Sequence, residues 1–180
     1  MNLQLAAIGE VDRGLIEDLR LRIGRVFRVT CETLEPALPV DFALHPERRQ
    51  YHSSEILARM QRLVTPQCWR LLGVTGFDLY IPILTFVFGE AQLGGRCALV
   101  STHRLRQEFY GLPHDPELLR ERLLKEAVHE LGHTMELTHC DDYDCVMASS
   151  HSVEWIDQKT PHLCNICLEH VLAGTGNEAR

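Results

Sequence analysis

Val128-His-Glu-Leu-Gly-His-Thr-Met-Glu-Leu-Thr-His-Cys140 closes a predicted helix that opens at Asp115, a good N-cap, with Pro116 in the first helical position and Glu117 favourable to the helix dipole. Leu119, Leu123, Val128 and Leu131 are among its apolar positions, and it runs toward Met135. Four residues advance a helix by about 400°, so His129 and His133 project from one face and can grip one ion. Glu130, beside the first of them, is placed to take a proton from a metal-bound water rather than to bind the metal. His139 lies past the helix end, where the chain must turn back for its ring to meet the same ion. Three histidines plus an open position make the donor set of a catalytic zinc, with Glu130 as its general base.

Immediately downstream, Cys140 and Cys145, then Cys164 and Cys167, form a C-x4-C and a C-x2-C pair. That spacing suits a closed, four-thiolate zinc site, which leaves no position for substrate and is therefore structural. From residue 138 onward cysteine, histidine and aspartate replace regular patterning, so this lobe is expected to draw part of its stability from metal.

Upstream, residues 3–8 read as a buried strand and residues 11–27 as a helix with Leu15, Ile16, Leu19, Ile23 and Val26 at helical spacing. A second strand at 29–34, a proline-marked loop at 36–46 and a helix at 53–64 stopped by Pro66 follow. Residues 69–75, 84–88 and 96–101 are strand-like and separated by glycines. This order predicts an α/β fold, a mixed sheet with helices packed on it.

The chain has 180 residues, 45% of them hydrophobic, and a formal charge of −7. It is long enough for one core, and the acidic balance argues against a nucleic-acid surface. Met1 to Gly9 lacks the basic start of a secretory signal, and no apolar run is long enough to span a membrane. Seven cysteines, four at metal-ligand spacing, fit a reducing compartment better than a disulfide framework, so a cytoplasmic protein is expected. Cys31, Cys68 and Cys97 read as small buried hydrophobes.

The spacing H-E-x-x-H-x-x-x-x-x-H is the extended arrangement of the metzincin superfamily. The run from His129 to Cys167 resembles more narrowly the archaemetzincin family, whose motif positions are matched by His129, Glu130, His133, His139, Cys140, Cys145, Met147, Ser150, Asp157, Lys159, Cys164 and Cys167. Residues 86–90 and 125–128 also resemble family segments, so the likeness spans at least residues 84–167. The resemblance implies that Met147 sits in the turn beneath the catalytic zinc, as a hydrophobic floor rather than a ligand. The family usually has glycine where this chain has Glu136, and a left-handed backbone there costs a non-glycine residue about 1 kcal/mol. Either that turn is strained or the helix ends differently. Residues 84–88 resemble the edge strand lining the metzincin cleft, with a buried central strand as the competing reading. Trp69 and Tyr80 read as core or cleft wall, and Tyr143 as a candidate hydrogen-bond donor to the transition state.

Together these readings predict one compact metzincin-like domain with two lobes. Residues 1–135 carry a mixed twisted sheet, backing helices and the active-site helix; residues 136–180 carry the four-cysteine zinc. The expected function is a zinc metallopeptidase with two zinc ions per chain, acting as a monomer on peptides and not on nucleic acid or membranes. The alternative is a non-catalytic zinc-binding interaction protein with a vestigial histidine site.

Overall fold

Strand β1 (Asn2–Ile8) buries Leu3, Leu5, Ala6 and Ile8 completely, side chains that point to both faces of a sheet. A strand buried on both faces calls for helices above and below it. In the computed structural model, which describes residues 1–34 and 38–178 with side chains to residue 173, the chain supplies them. After β1 come α1 (Arg13–Phe27), β2 (Thr30–Leu34), β3 (Leu44–His45), β4 (Gln50–His52), α2 (Ser53–Met60), β5 (Arg70–Thr75), β6 (Leu79–Tyr80), β7 (Gly89–Ala91) and β8 (Cys97–Ser101). The active-site helix α3 (Pro116–Thr134) and the short α4 (Val153–Gln158) and α5 (Asn165–Glu178) complete the described elements.

The main sheet has the order β2-β1-β5-β8-β7; its first four strands are parallel and β7 is an antiparallel edge. Strands β3, β4 and β6 form a small second sheet. Alternation sorts the side chains of the main sheet. Leu3, Leu5, Leu72, Val74, Ala98 and Val100 face α1 and α3, whereas Leu71, Cys97 and Leu99 pack with Ile56, Leu57 and Met60 of α2. The start of α3 is the one expected, with Asp115 accepting from Leu118 N at 2.9 Å; α1, read from residue 11, begins at Arg13, where Asp12 caps it by accepting from Leu15 N at 2.8 Å.

Two expectations change. Residues 84–88 are not a strand: Val87 makes one isolated bridge to Leu79, and the ladder to β8 begins only at Gly89. The carbonyls of Leu84 and Thr85 instead accept from Arg48 Nη2 at 3.0 and 2.9 Å, and that of Thr85 also from Gln50 Nε2. Side chains have taken the partners that a strand would need. The segment after residue 138, read as irregular, contains α4 and α5. Pro36 of the expected loop lies outside the described residues; farther along the same stretch the chain forms a 3-10 turn at Asp41–Ala43 and then β3. Cys31, Cys68 and Cys97 are buried, and burial pushes the thiols of Cys31 and Cys97 up to about 11.

Candidate metal centre

The C-terminal half of α3 presents His129 and His133 one turn apart, His129 buried and His133 half-buried. How His139 joins them depends on the way the helix ends. Glu136 has φ +65°, Glu136 N donates to His133 O at 3.1 Å and Leu137 N to Gly132 O at 3.1 Å. This pair of bonds around a left-handed residue is a Schellman cap, which reverses the chain. The left-handed turn, a conformation that favours glycine, is therefore made with a glutamate in it. Beyond the turn, His139 brings its ring to 5.3 Å from that of His129 and 5.1 Å from that of His133, and one ring nitrogen from each histidine lies within 4.8 Å of the others.

The protonation of two of these rings is set by their neighbours. His129 Nδ1 lies 2.8 Å from Val146 O and His133 Nδ1 2.7 Å from Leu137 O. A carbonyl can only accept, so each Nδ1 carries the proton and each neutral ring turns a bare Nε2 inward. Burial favours the neutral form: desolvation first, with the charge of Lys159 adding to it, holds His129 well below the usual histidine range. The His129 and His133 Nε2 atoms are 3.1 Å apart. Two lone pairs at that distance repel unless a cation lies between them. Zinc fits: with zinc–nitrogen bonds of about 2.0–2.1 Å, a tetrahedral site sets its nitrogens about 3.3 Å apart.

Glu130 is buried beside the cluster and is not among its grouped donors. Desolvation, then the neighbouring charge of Glu126, raises its carboxyl well above the ordinary range, while Lys159 acts in the opposite direction. Its side chain lies against the backbone of Gly89 at the start of β7. A Cβ there would come within 2.7 Å of Glu130 Oε1 and of Leu99 O, so the close approach needs glycine. Gly132 has a matching role on the other side of α3, where a Cβ would fall on Met147 Sδ. Met147 is fully buried, with its sulfur against Gly132, the residue before His133.

Past His139, the four cysteines also converge. Cys140 Sγ is 3.8 Å from Cys164 Sγ and Cys145 Sγ 3.9 Å from Cys167 Sγ, with all four sulfurs within 4.8 Å of one another. Zinc–sulfur bonds of about 2.3 Å give a tetrahedron with edges of about 3.8 Å, so this donor set also fits zinc. The two groups share backbone: Cys140 follows His139, and Cys145 precedes Val146, whose carbonyl orients His129.

A cleft of about 540 Å³ opens over the histidines between residues 84–91 and Ser149, Ser150 and His151. Tyr143 is 76% exposed and not among the cleft-lining residues, and neither Trp69 nor Tyr80 is. What the sequence did not reveal is the support around the site: Gly89, Gly132, the carbonyls of Val146 and Leu137, and the buried pairing of Glu126 with the motif residue Lys159. The only signal for these was their presence in or near motif segments.

The chain matches the model of peptidase family M54 over residues 53–172. It is 39% identical over 170 residues to archaemetzincin from Methanocaldococcus jannaschii, covering 94% of this chain and 92% of that protein. The crystal structure of archaemetzincin from Methanopyrus kandleri superposes with a TM-score of 0.85 at 36% identity, covering 98% of this chain and 96% of that one. That of archaemetzincin from Archaeoglobus fulgidus, complexed with malonate, gives 0.81 at 38%, covering 94% and 99%. Both structural likenesses extend over the N-terminal third, where the sequence alone carried little of the resemblance. The chain belongs to peptidase family M54, the archaemetzincins, and is a zinc metallopeptidase.

Proposed function

We propose that His129, His133 and His139 hold the catalytic zinc, that Glu130 is the general base, and that Cys140, Cys145, Cys164 and Cys167 hold a second, structural zinc, two ions per chain. The observation that carries this reading is the pair of bare Nε2 atoms 3.1 Å apart, each fixed by a carbonyl on the far side of its ring. When bound, zinc polarises the scissile carbonyl and lowers the pKa of water toward about 7. The Glu130 carboxylate takes a proton from the attacking water and passes it to the departing amine. Its burial beside the histidines, outside their donor set, places it where it can serve both steps.

The substrate is a peptide in extended form. Strand β7 pairs with β8 on one side only, and residues 89–91 line the cleft, so an incoming backbone can add to the free edge. The cleft lies between lobes 1–135 and 136–180 of one chain, which supports action as a monomer. The acidic balance and the thiolate cluster favour peptides in a reducing cytoplasm over nucleic acid, and no described helix is long and apolar enough to cross a membrane.

Two measurements test this. Zinc analysis is expected to give two equivalents, one of them removed readily by chelators. Digestion of a peptide library by wild type and by Glu130→Gln is expected to show cleavage lost with both zinc ions retained. Cleavage by the variant at the wild-type rate would remove Glu130 from the mechanism.

A further inference from the structure

The charged residues that α3 spends on the C-terminal lobe lie in the turns just before its metal-binding end. Arg122 donates to both carboxylate oxygens of Asp157, at 2.7 and 2.6 Å, and Lys125 Nζ donates to the carbonyls of Ile156 and Asp157 at 3.0 and 3.1 Å. The last tie is of another kind. Glu126 Oε1 meets Lys159 Nζ at 3.0 Å, with the two side chains 4% and 1% exposed. Oε1 accepts no hydrogen bond in this arrangement, and Lys159 Nζ donates instead to Ala148 O at 3.3 Å. An ion pair buried this fully recovers its desolvation cost poorly, and apolar replacements of similar volume are often as stable. Stability alone does not account for it.

Its location does. Ala148 follows Met147, fully buried with its sulfur against Gly132 of the active-site helix, and precedes Ser149, Ser150 and His151, the cleft wall facing residues 84–91. The Cys140 amide donates to Met147 O at 3.0 Å, so the strand carrying His139 is tied to the same turn. One ammonium group, held from the catalytic helix by Glu126, thus fixes by its bond to Ala148 the segment that packs Met147 against Gly132 and supplies the cleft wall.

We propose that Lys159 is a positioning residue for peptide hydrolysis: held by Glu126, it sets Met147 and the cleft wall at 149–151 against the active-site helix. It touches neither substrate nor metal. The inference rests on the catalytic reading above, but its first readout does not require turnover.

The test compares wild type, Glu126→Gln and the double variant Glu126→Met/Lys159→Met, each loaded with cobalt(II) in both sites. The double variant removes both charges at similar volume and leaves Ala148 O without its donor. It is expected to fold, to keep the thiolate-to-cobalt charge-transfer band, and to show a shifted d–d envelope at the histidine site. In the zinc form its kcat/KM falls on the order of 100-fold, the scale expected for a misplacement of about 1 Å. Glu126→Gln, which leaves Lys159 buried without the carboxylate that holds it, is expected to shift the d–d envelope in the same direction and to lower kcat/KM by a smaller factor. A double variant with wild-type spectrum and turnover overturns the proposal. So does one that fails to fold, which assigns the pair a structural role, or a Glu126→Gln variant with the wild-type envelope and turnover, which shows that Glu126 does not hold Lys159. Should wild type itself lack peptidase activity, the catalytic reading fails, while the spectral comparison still decides whether Lys159 positions the site.

Discussion

Replacing Glu136 by glycine should stabilise this protein, and the size of the gain can be worked from its backbone. Glu136 has φ +65° at the residue that closes the Schellman cap, and its side chain is exposed. A left-handed conformation costs an L-residue roughly 1–2 kcal/mol. Glycine removes that cost but adds unfolded-chain freedom worth about 0.4–1 kcal/mol. The net gain is about 0.5–1 kcal/mol, which for a chain of this size raises Tm by about 1–4 °C. Glu136→Ala is the control, because it removes the carboxylate and keeps the Cβ. It should change stability by less than about 0.5 kcal/mol. Thermal and urea denaturation of all three proteins at one fixed zinc concentration measures this, since metal binding shifts Tm on its own. The cap's hydrogen bonds are backbone bonds that glycine keeps, so His139 stays in place and peptidase activity should be unchanged. If alanine stabilises as much as glycine, the carboxylate and not the backbone is the source of strain. If glycine gives no gain, the turn is unstrained and the reasoning fails.

Gly132→Ala places a methyl on Met147 Sδ; overpacking at about 1–3 kcal/mol exceeds the helix-propensity gain of up to about 1, so denaturation should show a net loss and zinc analysis a weakened histidine site. Cys164→Ser/Cys167→Ser should lose the second zinc and speed chelator removal of the first, because Cys140 adjoins His139 and Cys145 adjoins Val146; unchanged removal kinetics would show the sites independent. Burial holds His129, His133 and His139 below the usual histidine range, so as pH falls through about 6.5 the unfolded chain takes up protons before the folded one. Metal-free protein should therefore be stable above that pH and lose stability below it. The measurement belongs in a Glu130→Gln background, since the raised Glu130 carboxyl contributes with the opposite sign, its stabilisation fading as pH rises above about 4.5; urea midpoints that stay flat from pH 7 to 5 would contradict the argument.

The parts of the site that were legible in the sequence are those whose geometry is local. A four-residue step on a helix fixes the relation of His129 to His133, and short cysteine spacings fix two pairs, whatever the rest of the chain does. The strands 3–8, 69–75 and 96–101 were legible for a related reason, since a short, mostly apolar stretch that fills both faces of a sheet leaves few other folds open. Residues 84–88 have the same composition and no such fate. Whether an apolar run becomes a strand depends on a neighbour for its carbonyls, and Arg48 and Gln50, more than thirty residues away, took them first. The support of the histidines is non-local in the same sense. Val146 O orients His129 across 17 residues, and Glu126 and Lys159 meet across a fold that neither residue's surroundings announce. Lys159 was named as a motif position and Glu126 lies in a resembling segment, but nothing in the sequence paired the two. Burial alone gives them meaning, and burial is a property of the whole packed chain: a lysine 1% exposed beneath a metal-binding helix must have its charge answered there, by a glutamate on that helix.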